Sequence, residues 1–312
     1  MKFRSSKHVL ILFVAVICGC SSYISRTVMQ SLERVGDSIP DPPRMITEPV
    51  LPNAKLAVAW VGHATVLIQI HDKLFITDPL FTNTIGMVVS RFVKPGLDPG
   101  ILPKVDFTLI SHIHFDHFSY GSLDALPKNG TLVVPEGLAD YTPDFGFKEF
   151  DEMKPWDVVE NDSVRVTAVP VQHFSGRYGF DAIWLGSRGY TGYVMAYRGV
   201  VVFFAGDTGY NPEFFKEIGR RFKIDLAIVP IAPSGGGGGG LGSRVHVSPR
   251  GAVAIFKDVG ARFMMPVHFG IMAYGSVPNP AAQLEQLRAV AVEEGITDRI
   301  VGLEVGEQRV LF

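Results

Sequence analysis

Three histidines and an aspartate crowd into one short segment, His112-Ile113-His114-Phe115-Asp116-His117, in the pattern HxHxDH. Imidazole nitrogens and carboxylate oxygens are ligands of borderline metal ions, and no loop needs four such groups for packing or solubility. A lone histidine is usually a packing residue; with nine histidines in 312 residues, this arrangement reads as a metal site. The hydrophobic run Val105 to Ile110 leads into it and reads as a buried strand. The ligands therefore sit on the loop leaving that strand's carboxyl end, where open α/β sheets bind ligands. Alternation points His112 and His114 the same way, while Asp116 and His117 follow one turn later and face a second ion.

Two ions need more ligands than one loop offers. His173 follows the strand-like run Ser163 to Val171, Asp207 follows Val200 to Ala205, and His268 follows Phe263 to Val267. Each lies just past an apolar run, so all can gather at one sheet edge. Gly206 and Gly209 flank Asp207 and suit a tight turn holding its carboxylate towards an ion. Cysteine occurs only at positions 18 and 20, which excludes a tetrathiolate site. Imidazole with carboxylate suits two Zn²⁺ ions, although Fe or Mn would accept much of the same set. Convergence requires two ions about 3.5 to 4 Å apart, with ligand atoms near 2.0 to 2.2 Å.

The HxHxDH segment, a later His173, Asp207 in Gly206-Asp-Thr-Gly209 and a late His268 resemble the metallo-β-lactamase superfamily from about residue 55 to 312. Within it the chain is similar to the branch holding N-acylphosphatidylethanolamine-hydrolysing phospholipase D and the sugar-phosphate lactonases. The stretches Trp60-Val-Gly-His-Ala-Thr-Val66, Thr77-Asp-Pro79, His173-Phe-Ser-Gly-Arg177, His246-Val-Ser-Pro249 and Pro266-Val-His-Phe-Gly270 carry that match. The resemblance implies an α/β fold, an αββα sandwich of two mixed β-sheets flanked by helices. It puts His112, His114 and His173 on one zinc and Asp116, His117 and His268 on the other, with Asp207 bridging. Asp116, Asp207 and His246 are the implied catalytic residues, His246 lying at the substrate outside the seven ligands. His63 and Asp78 fall beside the metals, with Asp78 placed to accept a ligand's ring N–H. Arg177, Tyr178, Asp181 and Trp184 follow His173 closely enough to form part of a pocket wall.

The elements that must position these groups are legible too. Helices are signalled at Asn211 to Phe222, Ser248 to Val259 and Asn279 to Glu294, each with Asn or Ser at the cap and Pro at the first helical position. Lys2, Arg4 and Lys7 precede the apolar run Val9 to Cys18, long enough for an export signal but short of the ~20 residues that span a bilayer. Ile17-Cys-Gly-Cys20 before two serines resembles a bacterial lipobox. The resulting organisation is a signal over 1–19, a lipidated Cys20 with a Pro-rich tether over 20–53, and one catalytic domain over 54–312. That implies an exported protein attached to a membrane through Cys20. The mature chain would hold one cysteine and no internal disulfide.

A net charge of −2 without a basic stretch argues against a nucleic-acid partner; the oligomeric state is not written in these features. Zinc lowers the pKa of bound water to near neutrality, so hydrolysis through a metal-bound hydroxide is the expected chemistry. The first expectation is a phosphodiesterase acting on a lipid-like substrate, with a small molecule or phospholipid as partner. A lactonase of the same fold is the alternative, and a non-catalytic metal-binding lipoprotein the third, disfavoured because every ligand is present. Pro233 to Ser243, with six consecutive glycines, departs from the phospholipase-like branch: the run offers a substrate no side chains and is costly to order.

Overall fold

A computed structural model describes residues 30–32, 34, 36–86, 89–233, 240–272 and 281–312. Cys18, Cys20, the apolar N-terminal run and Gly235 to Gly239 lie outside the described residues. The strands are β1 (Leu56–Gly62), β2 (Thr65–Ile70), β3 (Lys73–Thr77), β4 (Thr84–Ile85), β5 (Val89–Ser90), β6 (Phe107–Leu109), β7 (Thr131–Pro135), β8 (Glu149–Met153), β9 (Val158–Asn161), β10 (Val164–Val169), β11 (Gly192–Tyr197), β12 (Val200–Phe204), β13 (Leu226–Pro230), β14 (Phe263–Val267) and β15 (Gln308–Val310). The helices are α1 (Tyr120–Asp124), α2 (Ala182–Leu185), α3 (Pro212–Arg221), α4 (Pro249–Asp258) and α5 (Ala282–Glu293).

Among the described residues the strands form a seven-stranded sheet in the order β15-β1-β2-β3-β6-β7-β8 and a six-stranded sheet in the order β14-β13-β12-β11-β10-β9. Each sheet is mixed: β1, β2 and β3 form an antiparallel meander before the parallel β6, β7 and β8, and β9 to β12 are antiparallel before the parallel β13 and β14. Alternation decides which side chains meet. Val58, Ile68 and Phe75 of the first sheet pack with Val166, Val194 and Phe203 of the second in one core between the sheets. The intervening Ala59, Leu67 and Ile76 point outward into a second core with Leu123 of α1. Both faces of β1 and β2 are therefore buried, which explains their near-continuous apolar sequences. The other outer layer is α3, α4 and α5, whose Phe215, Phe256 and Leu287 are buried against the second sheet.

Local chemistry sets the helix starts. The Asn211 side chain accepts from Glu213 N ahead of Pro212, and Ser248 accepts from Gly251 N ahead of Pro249. The third helix differs from expectation. Asn279 and Pro280 lie outside the described residues, and α5 begins at Ala282 behind Ala281, which makes no side-chain cap. The Pro-rich stretch read as tether packs on the domain from Pro40 onward: Pro40 O accepts from Lys94 N at 2.9 Å, Ile46 N donates to Gly96 O at 2.8 Å, and Leu51 N donates to Gln69 Oε1 at 2.8 Å. Among the described residues no helix is long and apolar enough to cross a membrane.

The site-bearing loops leave strands at one end of the sandwich: Asp78 after β3, His112 to His117 after β6, His173 after β10, Asp207 after β12 and His268 after β14. Tyr193, fully buried on β11, crosses between the sheets and donates to Ile110 O at 2.8 Å, directly before the HxHxDH segment. Removing that donor leaves a buried carbonyl unsatisfied, which costs about 1 to 2 kcal/mol. Tyr193→Phe should thus lower the urea midpoint by the corresponding amount at unchanged slope; an unmoved midpoint would show that this bond does not support the loop.

Candidate metal centre

His112 Nε2 lies 2.9 Å from His114 Nδ1, and His173 Nε2 lies 3.3 Å from the same atom. His173 Nδ1 faces the Val245 carbonyl at 2.9 Å, an acceptor only, so that nitrogen carries the proton and Nε2 presents a lone pair. Ser111 Oγ donates its one proton to Asp78 Oδ2 at 2.6 Å and so accepts from His112 Nδ1 at 2.9 Å, which makes His112 Nε2 a lone pair as well. Two lone pairs facing His114 Nδ1 at this range are met by a proton on that nitrogen or, once it is lost, by a shared cation. Ligand atoms 2.0 to 2.2 Å from a shared tetrahedral ion lie roughly 3.3 to 3.6 Å from one another, close to the spacing seen.

A second cluster adjoins the first. His268 Nε2 is 3.1 Å from both His117 Nε2 and Asp207 Oδ2, and 3.6 Å from Asp116 Oδ2. His117 Nε2 is 3.4 Å from Asp207 Oδ2 and 3.5 Å from Asp116 Oδ2. His117 Nδ1 donates to Asp78 Oδ2 at 2.7 Å, so its Nε2 is again turned towards the centre. The buried Oδ1 of Asp207 has no hydrogen-bond partner among the described residues. A carboxylate with one oxygen in the second cluster and a spare oxygen is the donor a shared ion would use. The seven residues expected as ligands are thus brought together, and their donor atoms fit two cations.

Electrostatics agrees with the geometry. Burial, then the neighbouring imidazoles, holds His112 well below the ordinary histidine range; His114 is lowered to about 4 by burial, and His173 falls well below the range for the same reason. These rings are neutral, the ligating form. Burial also works against charge on His117 and His268, but Asp207 and Asp116 outweigh it, with Asp78 adding to the effect on His117. His117 is raised well above the usual value and His268 to about 9. Burial disfavours charge on Asp116 and Asp207 too, yet His117 and His268 hold both carboxyls well below the usual range. The buried Asp207 carboxylate beside Asp116 calls for positive charge, which a proton shared within the His117 and His268 pair or a bound cation supplies.

The close approach of the loops depends on two glycines. Gly206, at φ 58°, sits where a methyl would collide with Ser111, and a methyl on Gly209 would strike the Arg244 carbonyl. A side chain at Gly206 would push Asp207 away from the β6 loop, and one at Gly209 would push the same turn from the segment before α4.

Other expected residues separate. Asp78 is fully buried, as is His63, whose Nε2 lies 3.2 Å from Asp116 Oδ2. His63 therefore stands among the candidate donor atoms, in one group with Asp116, His117 and His268, closer in than the sequence reading put it. His246 sits at the rim yet forms one candidate donor group with His173 and Asp207, closer in than the sequence reading put it: Nδ1 is 3.5 Å from Asp207 Oδ2 and the side chain is 19% exposed. The four residues read as pocket wall part company. Tyr178 and Trp184 face solvent, whereas Asp181 is buried and caps the turn by accepting from Arg177 N and Tyr178 N, each at 2.9 Å.

Arg177 has a role that the sequence reading missed. Its Nη1 donates to Ile113 O at 3.0 Å and Phe118 O at 2.8 Å, bracketing the segment that carries His114, Asp116 and His117. Its guanidinium lies 4.2 Å from the Phe115 ring centroid and 4.5 Å from that of Tyr120. No sequence pattern announces a bond to two carbonyls; the aromatic residues around the HxHxDH segment were the available hint.

A family model described as Beta-lactamase superfamily domain matches residues 73–269. The chain belongs to this family, the metallo-β-lactamase superfamily. It is 28% identical to N-acyl-phosphatidylethanolamine-hydrolyzing phospholipase D 1 of Caenorhabditis elegans, the match covering 81% of this chain and 75% of that protein. It is 25% identical to a metal-dependent hydrolase of Thermodesulfovibrio yellowstonii, over 84% of this chain and 95% of the relative. The match to an uncharacterized Mycobacterium tuberculosis protein, 28% identical over 78% of this chain, spans 66% of that relative's length. The crystal structure of a possible metal-dependent hydrolase from Veillonella parvula superposes with a TM-score of 0.66 at 15% identity, covering 83% of this chain and all of that one, and shows the shared fold.

If Arg177 holds the ligand-bearing segment in place, Arg177→Met should keep the fold by circular dichroism yet weaken zinc retention against a chelator by about 10- to 100-fold, and Arg177→Lys should recover part of the loss. Wild-type retention in Arg177→Met would show that the segment holds its shape without the clamp.

Proposed function

We propose that this chain is a zinc-dependent phosphodiesterase acting on a lipid-like phosphodiester, exported and held at a membrane through lipidated Cys20. The likeness to a protein named for hydrolysing N-acyl-phosphatidylethanolamine, over most of the chain, supports the substrate class. His112, His114 and His173 would hold one ion and Asp116, His117 and His268 the other, with Asp207 shared. Bound zinc supplies Lewis acidity and activates water at neutral pH.

The observation that carries the proposal is the placement of His246. It is partly exposed and shares a donor group with His173 and Asp207, with Nδ1 3.5 Å from Asp207 Oδ2. A ring so placed donates a proton to the leaving oxygen or a hydrogen bond to a phosphoryl oxygen, while Asp207 fixes its orientation. Asp116, within reach of His63, His117 and His268, is held ionised, the form that would hold the second ion. A lactonase of the same fold is the second reading, supported by the glycine run Gly235 to Gly240, which gives a bulky headgroup nothing to bind.

A panel of a bis-aryl phosphodiester, a lactone and a β-lactam on the zinc-loaded protein separates the classes, and His246→Ala then tests the assignment. The variant should keep its metal and lose roughly 10²- to 10⁴-fold in rate on a phosphodiester with a poor leaving group, and less on one with a good leaving group. Equal losses on both would leave His246 a positioning residue and weaken the phosphodiesterase proposal; lost metal would make it a ligand.

A further inference from the structure

Among the described residues the largest fully buried side chain is an arginine, Arg91, directly after β5. Arginine is almost never buried outright, so what this one touches shows what it does. Its Nη1 donates to Leu80 O at 2.7 Å and its Nε to Val93 O at 3.1 Å. Its Nη2 packs on Gly62, where an added methyl would come within 3.0 Å of it. The main chain here is engaged as well: Arg91 bridges Met272 in antiparallel fashion, and Phe92 N donates to Ile271 O at 2.7 Å. Three segments thus meet at one residue, and each carries a group of the second cluster. Gly62 precedes His63, Leu80 follows Asp78, which accepts from His117 Nδ1, and Ile271 and Met272 end the loop that begins at His268. The segments are also tied to one another. His268 N donates to His63 O at 3.1 Å, and Leu80 N donates to Thr65 Oγ1 at 3.0 Å, the hydroxyl that donates to Asp78 O. Leu80 is therefore held from both sides, its N–H by Thr65 and its carbonyl by Arg91.

We propose that Arg91 is a positioning residue for the second ion, setting His117 and His268 by pinning Gly62, Leu80 and the end of β5 behind them. The inference rests on the assignment of two ions to the two clusters. A planar guanidinium with a fork of N–H donors reaches two carbonyls and a third segment from one rigid group, whereas an ammonium is a single point on a flexible stem. The first ion's ligands have other supports. Val245 O orients His173, and Arg177 holds the carbonyl of Ile113, which lies between His112 and His114. His112 is linked to Arg91 through Asp78 and Ser111, one hydrogen bond further away than His117. Loss of the guanidinium should therefore loosen the two sites unequally.

The test reads bound zinc rather than turnover, so a failed assay for phosphodiester hydrolysis leaves it intact. The full chain is loaded with zinc and titrated with a chelator while the metal left on the protein is measured. Arg91→Met should give up one ion at about 10- to 100-fold lower chelator concentration than the wild type and hold the other nearly as the wild type does. Arg91→Lys, still able to reach one carbonyl, should fall between them. Adding His173→Ala to Arg91→Met should remove the ion that remains, and adding His268→Ala should leave it bound. Wild-type retention of both ions in Arg91→Met would overturn the proposal. Equal weakening of both would overturn it too, leaving Arg91 a residue of general stability. Should Arg91→Met fail to fold, Arg91→Lys decides by the same comparison. A wild type that takes up a single zinc would remove the two-ion assignment, and this proposal with it, before any variant is compared.

Discussion

The site depends on one buried carboxylate. Asp78, at the end of β3 and with no exposed surface, accepts from Ser111 N and Ser111 Oγ at 2.6 Å each and from His117 Nδ1 at 2.7 Å. Its own carbonyl accepts from Thr65 Oγ1 at 2.7 Å, tying the β2 start to the same turn. Burying an ionised carboxylate costs several kcal/mol unless it is paired and hydrogen-bonded. Here the partners are the first residue and the last histidine of the ligand loop, so the loop cannot depart without stranding the charge. The same contacts fix ring tautomers: His117 directly and His112 through Ser111, each left with Nε2 facing inward.

From that anchor the rest follows by packing. The β12 loop reaches the β6 loop because Gly206 admits Ser111, and the segment before α4 reaches both because Gly209 admits the Arg244 backbone. Asp207 arrives between the two clusters with one oxygen against His117 and His268 and the other without a hydrogen-bond partner among the described residues. The sheets supply rigidity: each ligand-bearing loop is a short excursion from a strand whose side chains are locked in one of two cores, so the donor atoms are placed before any ion arrives.

Much of this was readable from the chain because its signals are local. HxHxDH places four donors by spacing alone; β14 and the spans of α3 and α4 follow from apolar runs and from Asn211-Pro212 and Ser248-Pro249. His173, Asp207 and His268 could be named because each ends such a run. Tertiary chemistry was harder to read. The Arg177 clamp works through backbone carbonyls, which every residue owns, and Val245 orients His173 through its carbonyl rather than its side chain. The Pro-rich stretch looked like a tether because its docking from Pro40 onward uses backbone hydrogen bonds and a single buried apolar side chain, Ile46. His63 sits at φ 59° in a turn, with its ring drawn in beside His268, a geometry that strand alternation does not foretell.

The central claim is that two adjoining clusters share Asp207 and hold an ion each. Zinc content per folded chain, measured after metal loading and gel filtration for the wild type and for Asp207→Ala, tests it most directly. The account predicts about two zincs in the wild type and loss of at least one of them in Asp207→Ala, since a shared carboxylate both ligates and offsets the repulsion between the two cations. A wild type that binds a single zinc, or an Asp207→Ala variant that retains two, would contradict it.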